Sequence, residues 1–355
     1  MMPPDKKGSL IEIQNISKIF GNTSKEALDA ITKARISKQE ALEKYNAVIG
    51  VSDVSFDVNP GEIFCVMGLS GSGKSTLVRH INRLLEPTLG KILIDGQDVM
   101  ALEKGALQDF RNNKIGMVFQ NFALMPHRSV IDNIAMPLEI RGVNKNQRYN
   151  KANEILNVVE LSGWGSKYAH ELSGGMQQRV GLARALAADP EILLMDEPFS
   201  ALDPLIRRQL QTEFIKLSRQ LKKTTVFITH DLDEAVKVGH RIAIMRDGKV
   251  IQIGTPEEIV MKPEDEYVAD FVKGISRLEV VKANSIMKPI EDYQKEYGVV
   301  PDGAVRMKDS DVLSSLIEKL VASDQPAVIV DSTGQDIGVI SQRDLLASIV
   351  ESRDE

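Results

Sequence analysis

Apolar residues in this chain fall into two patterns. The short unbroken runs IFCVM (63–67) and TTVFIT (224–229) predict strands, and ILLM (192–195), with polar residues directly behind it, predicts an inner strand of a parallel sheet. Elsewhere apolar positions recur every three or four residues. TLVRHINRLL (76–85) predicts a helix, and Met176, Val180, Ala183 and Ala187 form the core-facing stripe of another. The segment GNTSKEALDAITKARISKQEALEKYNAVIG (21–50) predicts two short helices, with Leu28 and Ile31 in the first and Ala41, Leu42 and Tyr45 in the second. Near the end, AVRM, a helix with Val312, Leu316 and Leu320 on one face, AVIVD, a DSTG turn, IGVIS and QRDLLASIV predict strand, helix, strand, strand, helix. The expected class is α/β, with a small α+β unit behind it.

The 355 residues, 43% of them hydrophobic and 26% charged, suffice for two cores. No run approaches the roughly 18 apolar residues of a membrane span, and the opening MMPPDKKG lacks the apolar stretch of a signal peptide, so a cytosolic location is expected. Cys65 is the single cysteine, which excludes a disulfide framework and a thiol metal cage. The net charge of −6 is uneven: Gly274 to Glu355 carries 15 acidic against 9 basic residues, so residues 1–273 are balanced. A neutral main unit and an acidic tail offer nothing to nucleic acid.

The apolar run at 63–67 leads into GLSGSGKST (68–76), which fits G-x-x-x-x-G-K-[ST] with Gly68, Gly73, Lys74 and Ser75 in the fixed places and Ser70, Gly71 and Thr76 completing the loop. Glycines let backbone N–H groups converge on phosphate oxygens, and the helix behind them adds its positive end. Lys74 supplies a charge for the β- and γ-phosphates and Ser75 a hydroxyl for Mg²⁺. Hydrolysis needs carboxylates as well. Asp196 and Glu197 emerge together where the buried run at 192–195 ends, Asp196 to hold Mg²⁺ and Glu197 to take a proton from the attacking water.

A second anion site is written in ELSGGMQQRV. Gly174 and Gly175 leave the first helical turn's N–H groups uncovered and Ser173 adds a hydroxyl, so a chain with one phosphate loop has a spare anion-binding helix end. A dimer in which this helix caps the nucleotide of the other subunit uses it.

In this order and spacing, GLSGSGKS, LSGGM, ILLMDE, SALD and THD resemble the ATP-binding subunit of an ABC transporter over about residues 10–273. The resemblance implies a phosphate-loop nucleotide-binding fold with a parallel core sheet, an antiparallel subdomain and a helical subdomain, binding ATP and Mg²⁺. It implies that Ser173, Gly174 and Gly175 touch the γ-phosphate across a dimer of two copies. Asp203 would communicate between the two sites, and His230 would contact the γ-phosphate. Gln120 would join Ser75 and Asp196 at the metal and link the site to an integral membrane permease. Met176, standing where many members have glutamine, leaves the capping amides in place. An aromatic for adenine is expected between the first two strands: Phe20 is the better match, Tyr45 the alternative.

Met176 and the 21–50 insertion, with GLSGSGKST, FALMPHRSV and FSALDPLIR, are similar to the subgroup that powers bacterial importers of glycine betaine, proline betaine and choline. That implies a peripheral protein on the cytoplasmic side of the inner membrane, served indirectly by a periplasmic solute-binding protein. A soluble ABC ATPase of DNA repair or translation is the alternative. Such proteins usually fuse two cassettes or carry long coiled coils. Residues 274–355 resemble one CBS module, with Gly338, Ser341 and Asp344 either contacting a regulatory nucleotide or, in the case of Ser341 and Asp344, forming a helix cap, the reading we favour. The expected domains are therefore 1–273 and 274–355. Deleting 275–355 is expected to leave ATP hydrolysis intact and to remove its regulation.

Overall fold

The computed structural model describes residues 9–21, 23–32, 36–322 and 325–350. Its packing separates two units, residues 1–253 and 254–355.

Strands of the first unit are β1 (Ile11–Gly21), β2 (Ala47–Val58), β3 (Ile63–Met67), β4 (Leu89–Ile94), β5 (Gln97–Asp98), β6 (Ile115–Val118), β7 (Ile192–Asp196), β8 (Thr224–Thr229), β9 (Arg241–Arg246) and β10 (Lys249–Gly254). They make two sheets, β2-β1-β4-β5 and β10-β9-β3-β8-β7-β6. The first sheet is antiparallel. In the second, β9, β3, β8, β7 and β6 run parallel, and β3, β7 and β8 are buried at every position, as unbroken apolar runs require. Phe56 of β2 stacks on Phe64 of β3 with ring centroids 4.6 Å apart, joining the sheets through a shared core. A helical layer follows, in which Val130–Ile140 packs on both Lys145–Val158 and Gly174–Ala187.

Registers decide where chemistry is placed. Met67 pairs with Thr229, Asp196 with Ile228 and Val118 with Met195, so β3, β6, β7 and β8 end at one edge of the sheet. The segments carrying Gly68, Gln120, Glu197 and His230 leave from that carboxyl edge, where open α/β sheets bind ligands.

Several expectations shift in detail. Asp196 is the last residue of β7 rather than the first beyond it. The helix after the phosphate loop runs Lys74–Ile81, starting two residues earlier and stopping four residues sooner than its apolar pattern suggested. Of its neighbours in the signature stripe, Met176 is half-buried whereas Val180, Ala183 and Ala187 are buried. The insertion does form two helices, Lys25–Thr32 and Lys38–Tyr45, but Gly21 and residues 47–50 belong to β1 and β2. Ile19, Ile31, Ala41, Ala47 and Ile49 make its small core with Leu28 and Tyr45 at the margin, while Leu42 stays half exposed on the outer face.

The second unit begins earlier than the charge boundary at 273/274. Helix Pro256–Met261 packs on helices Glu266–Val272 and Arg277–Val280, burying Ile259 and Val260, and the Lys282 amide donates to Glu257 Oε1 at 3.0 Å. Charge reports solvent-facing residues and does not register that packing. Beyond lie β11 (Val305–Lys308), β12 (Ala327–Val330) and β13 (Asp336–Ile340), parallel then antiparallel, with helices Leu313–Ala322 and Gln342–Val350. Met307, Leu316, Leu320, Ile329 and Ile340 form its core; Leu313, not Val312, completes the helical face. Ser341 and Asp344 close a capping box: the Asp344 amide donates to Ser341 Oγ at 3.1 Å and the Ser341 amide donates to Asp344 Oδ2 at 3.2 Å.

Candidate phosphate-binding and hydrolytic site

The phosphate loop leaves β3 at Gly68 and ends at Gly73, directly before helix Lys74–Ile81. Gly73 has φ +104, and a Cβ there would lie 2.4 Å from the Gly50 carbonyl oxygen, so only glycine lets the loop pass this closely under β2. Turn 247–248 braces the loop, because the Gly248 amide donates to Ser72 O at 2.9 Å and the Ser52 amide donates to Gly248 O at 2.8 Å.

Lys74 is 5% exposed, and its ammonium donates to the carbonyls of Gly68 at 2.7 Å and Leu69 at 3.1 Å. Burial lowers its pKa, with Glu197 and Asp196 working in the opposite direction. Ser75 Oγ donates to Asp196 Oδ1 at 2.9 Å, and Arg79, one helical turn further on, lies 3.7 Å from Asp196 Oδ2. Arg79 is a residue that sequence reasoning missed. Its i+4 spacing from Ser75 placed both on one helical face and would have revealed it.

Glu197 adopts φ +46, a left-handed conformation costing a non-glycine residue about 1–2 kcal/mol. Its amide donates to Ile228 O at 3.1 Å, and its carbonyl accepts from the Ser200 hydroxyl at 3.0 Å. These contacts hold the strained residue in place. Glu197 Oε2 lies 3.1 Å from His230 Nδ1 and accepts from Gln120 Nε2 at 3.4 Å. The Glu197 side chain is 17% exposed and that of His230 54%, so the carboxylate sits in a recess with its histidine partner at the rim.

Lys74, Ser75, Asp196, Glu197, Gln120 and His230 thus form one cluster, although up to 156 positions separate them in the chain. Ser173, Gly174 and Gly175 lie elsewhere, at the head of helix Gly174–Ala187. Ser173 Oγ accepts from the Met176 amide at 3.4 Å, and a Cβ on Gly175 would come 2.7 Å from Ile206 Cγ2. Ser173 and Gly174 are exposed. Asp203 is an exposed helix N-cap whose carboxylate accepts from the Ile206 amide at 3.1 Å. Neither group touches the Lys74 cluster within this chain.

The two aromatic candidates differ clearly. Tyr45 packs at the edge of the insertion's core, whereas Phe20 is 38% exposed at the end of β1. The Phe20 ring faces Gly50, where a Cβ would come within 2.7 Å, and Gly50 in turn backs onto Gly73. A partly exposed aromatic ring, with the Lys18 ammonium 5.2 Å from its centroid, therefore stands beside the phosphate loop.

Ser75 and Asp196 offer hard oxygen donors side by side, a set that suits Mg²⁺. Among the described residues no group of three or more His, Cys, Asp or Glu forms a metal cage. A phosphate-bound Mg²⁺ needs none, because substrate oxygens and water supply the remaining ligands.

The family described as ABC transporter matches residues 51–200. The chain is 50% identical to the glycine betaine transport ATP-binding protein of Bacillus subtilis, over 84% of this chain and 71% of that protein. It is 41% identical to the trimethylamine N-oxide transport system ATP-binding protein of Pelagibacter ubique, over 96% and 97%. Among solved structures it is similar to a dimeric, post-hydrolysis ATP-binding cassette bound to ADP and Pi, with a TM-score of 0.58 and 31% identity over 69% of this chain and 98% of that one.

Proposed function

Because the chain belongs to the family of ABC transporter ATP-binding subunits, in the group serving glycine betaine and related amines, we propose that it is the motor of a bacterial importer for a quaternary or methylated amine. It binds and hydrolyses ATP. Glycine betaine, proline betaine, choline, carnitine and trimethylamine N-oxide are the solutes that fit the group. The observation that carries the reading is the convergence of Lys74, Ser75, Asp196 and Glu197 at one sheet edge.

Backbone amides of residues 70–75 and the Lys74 ammonium bind the phosphates. Ser75, Asp196 and the Gln120 amide would hold Mg²⁺, which neutralises charge on the phosphate oxygens when bound. Glu197, fixed in its strained conformation, takes the proton of the attacking water; His230, 3.1 Å from Oε2, orients that carboxylate and reaches towards the γ-phosphate. Ser173 and Gly174, both exposed, and the half-buried Gly175 behind them lie apart from this cluster and serve the nucleotide of a second copy, with the exposed Asp203 on the same shared face. Closure of that dimer drives a separate permease through the Gln120 region.

Among the described residues no helix is long and apolar enough to cross a membrane, in keeping with a peripheral subunit that works on the cytoplasmic face of the inner membrane. A periplasmic solute-binding protein takes part only indirectly. Residues 274–355 act as a CBS-type regulatory module whose Ser341–Asp344 pair serves as a cap rather than a nucleotide ligand.

The deciding measurement is Glu197→Gln. With Mg-ATP it should bind nucleotide normally, accumulate as a dimer on gel filtration, and hydrolyse about 10²–10⁴-fold more slowly. Hydrolysis at the parent rate would remove Glu197 as the base.

A further inference from the structure

The insertion between β1 and β2 is a predicted feature that the hydrolytic site does not use, yet its second helix starts beside the phosphate loop. Ser37 and Glu40 fix the start of helix Lys38–Tyr45 through a reciprocal cap, the Glu40 amide donating to Ser37 Oγ at 3.1 Å and the Ser37 amide to Glu40 Oε2 at 3.0 Å. Ala41, buried with Ile19, Ile31, Ala47 and Ile49, holds the same helix against β1 and β2. Lys38 therefore projects from an anchored first turn.

Its ammonium donates to the Gly71 carbonyl of the phosphate loop at 3.5 Å and lies 3.7 Å from Asp247 Oδ1. Asp247 belongs to the turn whose neighbour Gly248 already holds Ser72. The Lys38 side chain is 31% exposed, and that of Asp247 is 74% exposed. The outer wall of the loop is thus gripped at two successive residues, Gly71 by the insertion and Ser72 by the turn.

We propose that Lys38 is a positioning residue for the nucleotide: the insertion uses it to hold the phosphate loop in its binding conformation and to place a second positive charge beside Lys74's site. The assignment rests on the ATP site proposed above. Holding Gly71 lowers the ordering cost of the loop when phosphates arrive, and an ammonium this near favours a triphosphate at long range. Both effects act on binding. Neither group touches the carboxylate that activates water, so the hydrolytic step at saturation is not altered.

The test compares Lys38→Met, Lys38→Arg and Lys74→Ala in the full-length protein, using Mg-ATP for calorimetric binding on a Glu197→Gln background and for steady-state hydrolysis without it. Lys38→Met should raise Kd and KM about 3- to 10-fold while kcat stays within about twofold. Lys38→Arg should restore both, and the Lys38→Met defect should shrink when salt is raised to about 0.5 M. An unchanged KM, or a KM and kcat that worsen together with a lowered Tm, would overturn the assignment. If Lys74→Ala itself binds Mg-ATP normally, it is the ATP site that fails; if Lys74→Ala is crippled and Lys38→Met is not, only the role of Lys38 fails.

Discussion

Substituting Gly73 by alanine tests whether the loop's shape, and not merely its lysine, makes the phosphate site. At φ +104 an L-residue carries about 1–3 kcal/mol of backbone strain. The added Cβ would also sit 2.4 Å from the Gly50 carbonyl oxygen, with Gly248 Cα at 3.4 Å behind it. Those are backbone atoms and cannot rotate away, so the loop must move, at about 1–3 kcal/mol for overpacking. The total, about 2–6 kcal/mol, falls on the conformation that binds phosphate. At about 1.4 kcal/mol per tenfold, affinity for Mg-ATP should drop at least about 30-fold.

Gly71→Ala is the matched control. Its φ of +78 imposes similar strain of about 1–3 kcal/mol, but nothing lies within 4 Å of the new Cβ, so the overpacking cost is absent and the loss should be about 5- to 150-fold, smaller than that of Gly73→Ala by the overpacking share. Calorimetric titration with Mg-ATP, below the melting temperature found for each variant, gives the two values. Equal losses would show that the close approach of Gly73 to β2 is irrelevant; normal binding by Gly73→Ala would refute the cradle itself.

Two further outcomes follow from the geometry. Phe20→Ala should raise the KM for ATP about 5- to 150-fold, the value of a lost base–aromatic stack, whereas Tyr45→Ala should lower Tm and leave KM nearly unchanged; the reverse pattern would move the adenine site to Tyr45. Burial raises the pKa of Glu234, which is 5% exposed and accepts from Gln211 Nε2 at 2.9 Å. A raised folded-state pKa favours folding below the ordinary carboxylate value, and that contribution is lost as pH climbs through the raised one. Glu234→Gln should therefore gain Tm over the parent as pH rises above the ordinary carboxylate range, and a Tm difference that is flat with pH would show that burial does not raise the Glu234 carboxyl.

The chain's local pattern determined a good deal unaided. Apolar runs of four to six residues bounded by polar or glycine-rich segments are too short for helices and fit strands covered on both sides, so β3, β7 and β8 were legible, and the glycines and lysine at 68–74 announced a phosphate loop because few other functions need such pliable backbone before a helix. The two insertion helices and the order of elements after Val305 were legible for the same reason, since periodicity is a local property. What the tertiary structure decided concerns relations between distant segments. Parallel register brings Gln120, Glu197 and His230 to one edge, and no spacing along the chain encodes that. Leu42 faces outward and Leu313 inward because the neighbouring layer, and not the helix itself, fixes which side is covered. The boundary at Ile253 and the reach of Lys38 to Gly71 have the same origin: each depends on which surfaces meet after folding, where van der Waals contact and a few ångströms of side-chain length decide the outcome.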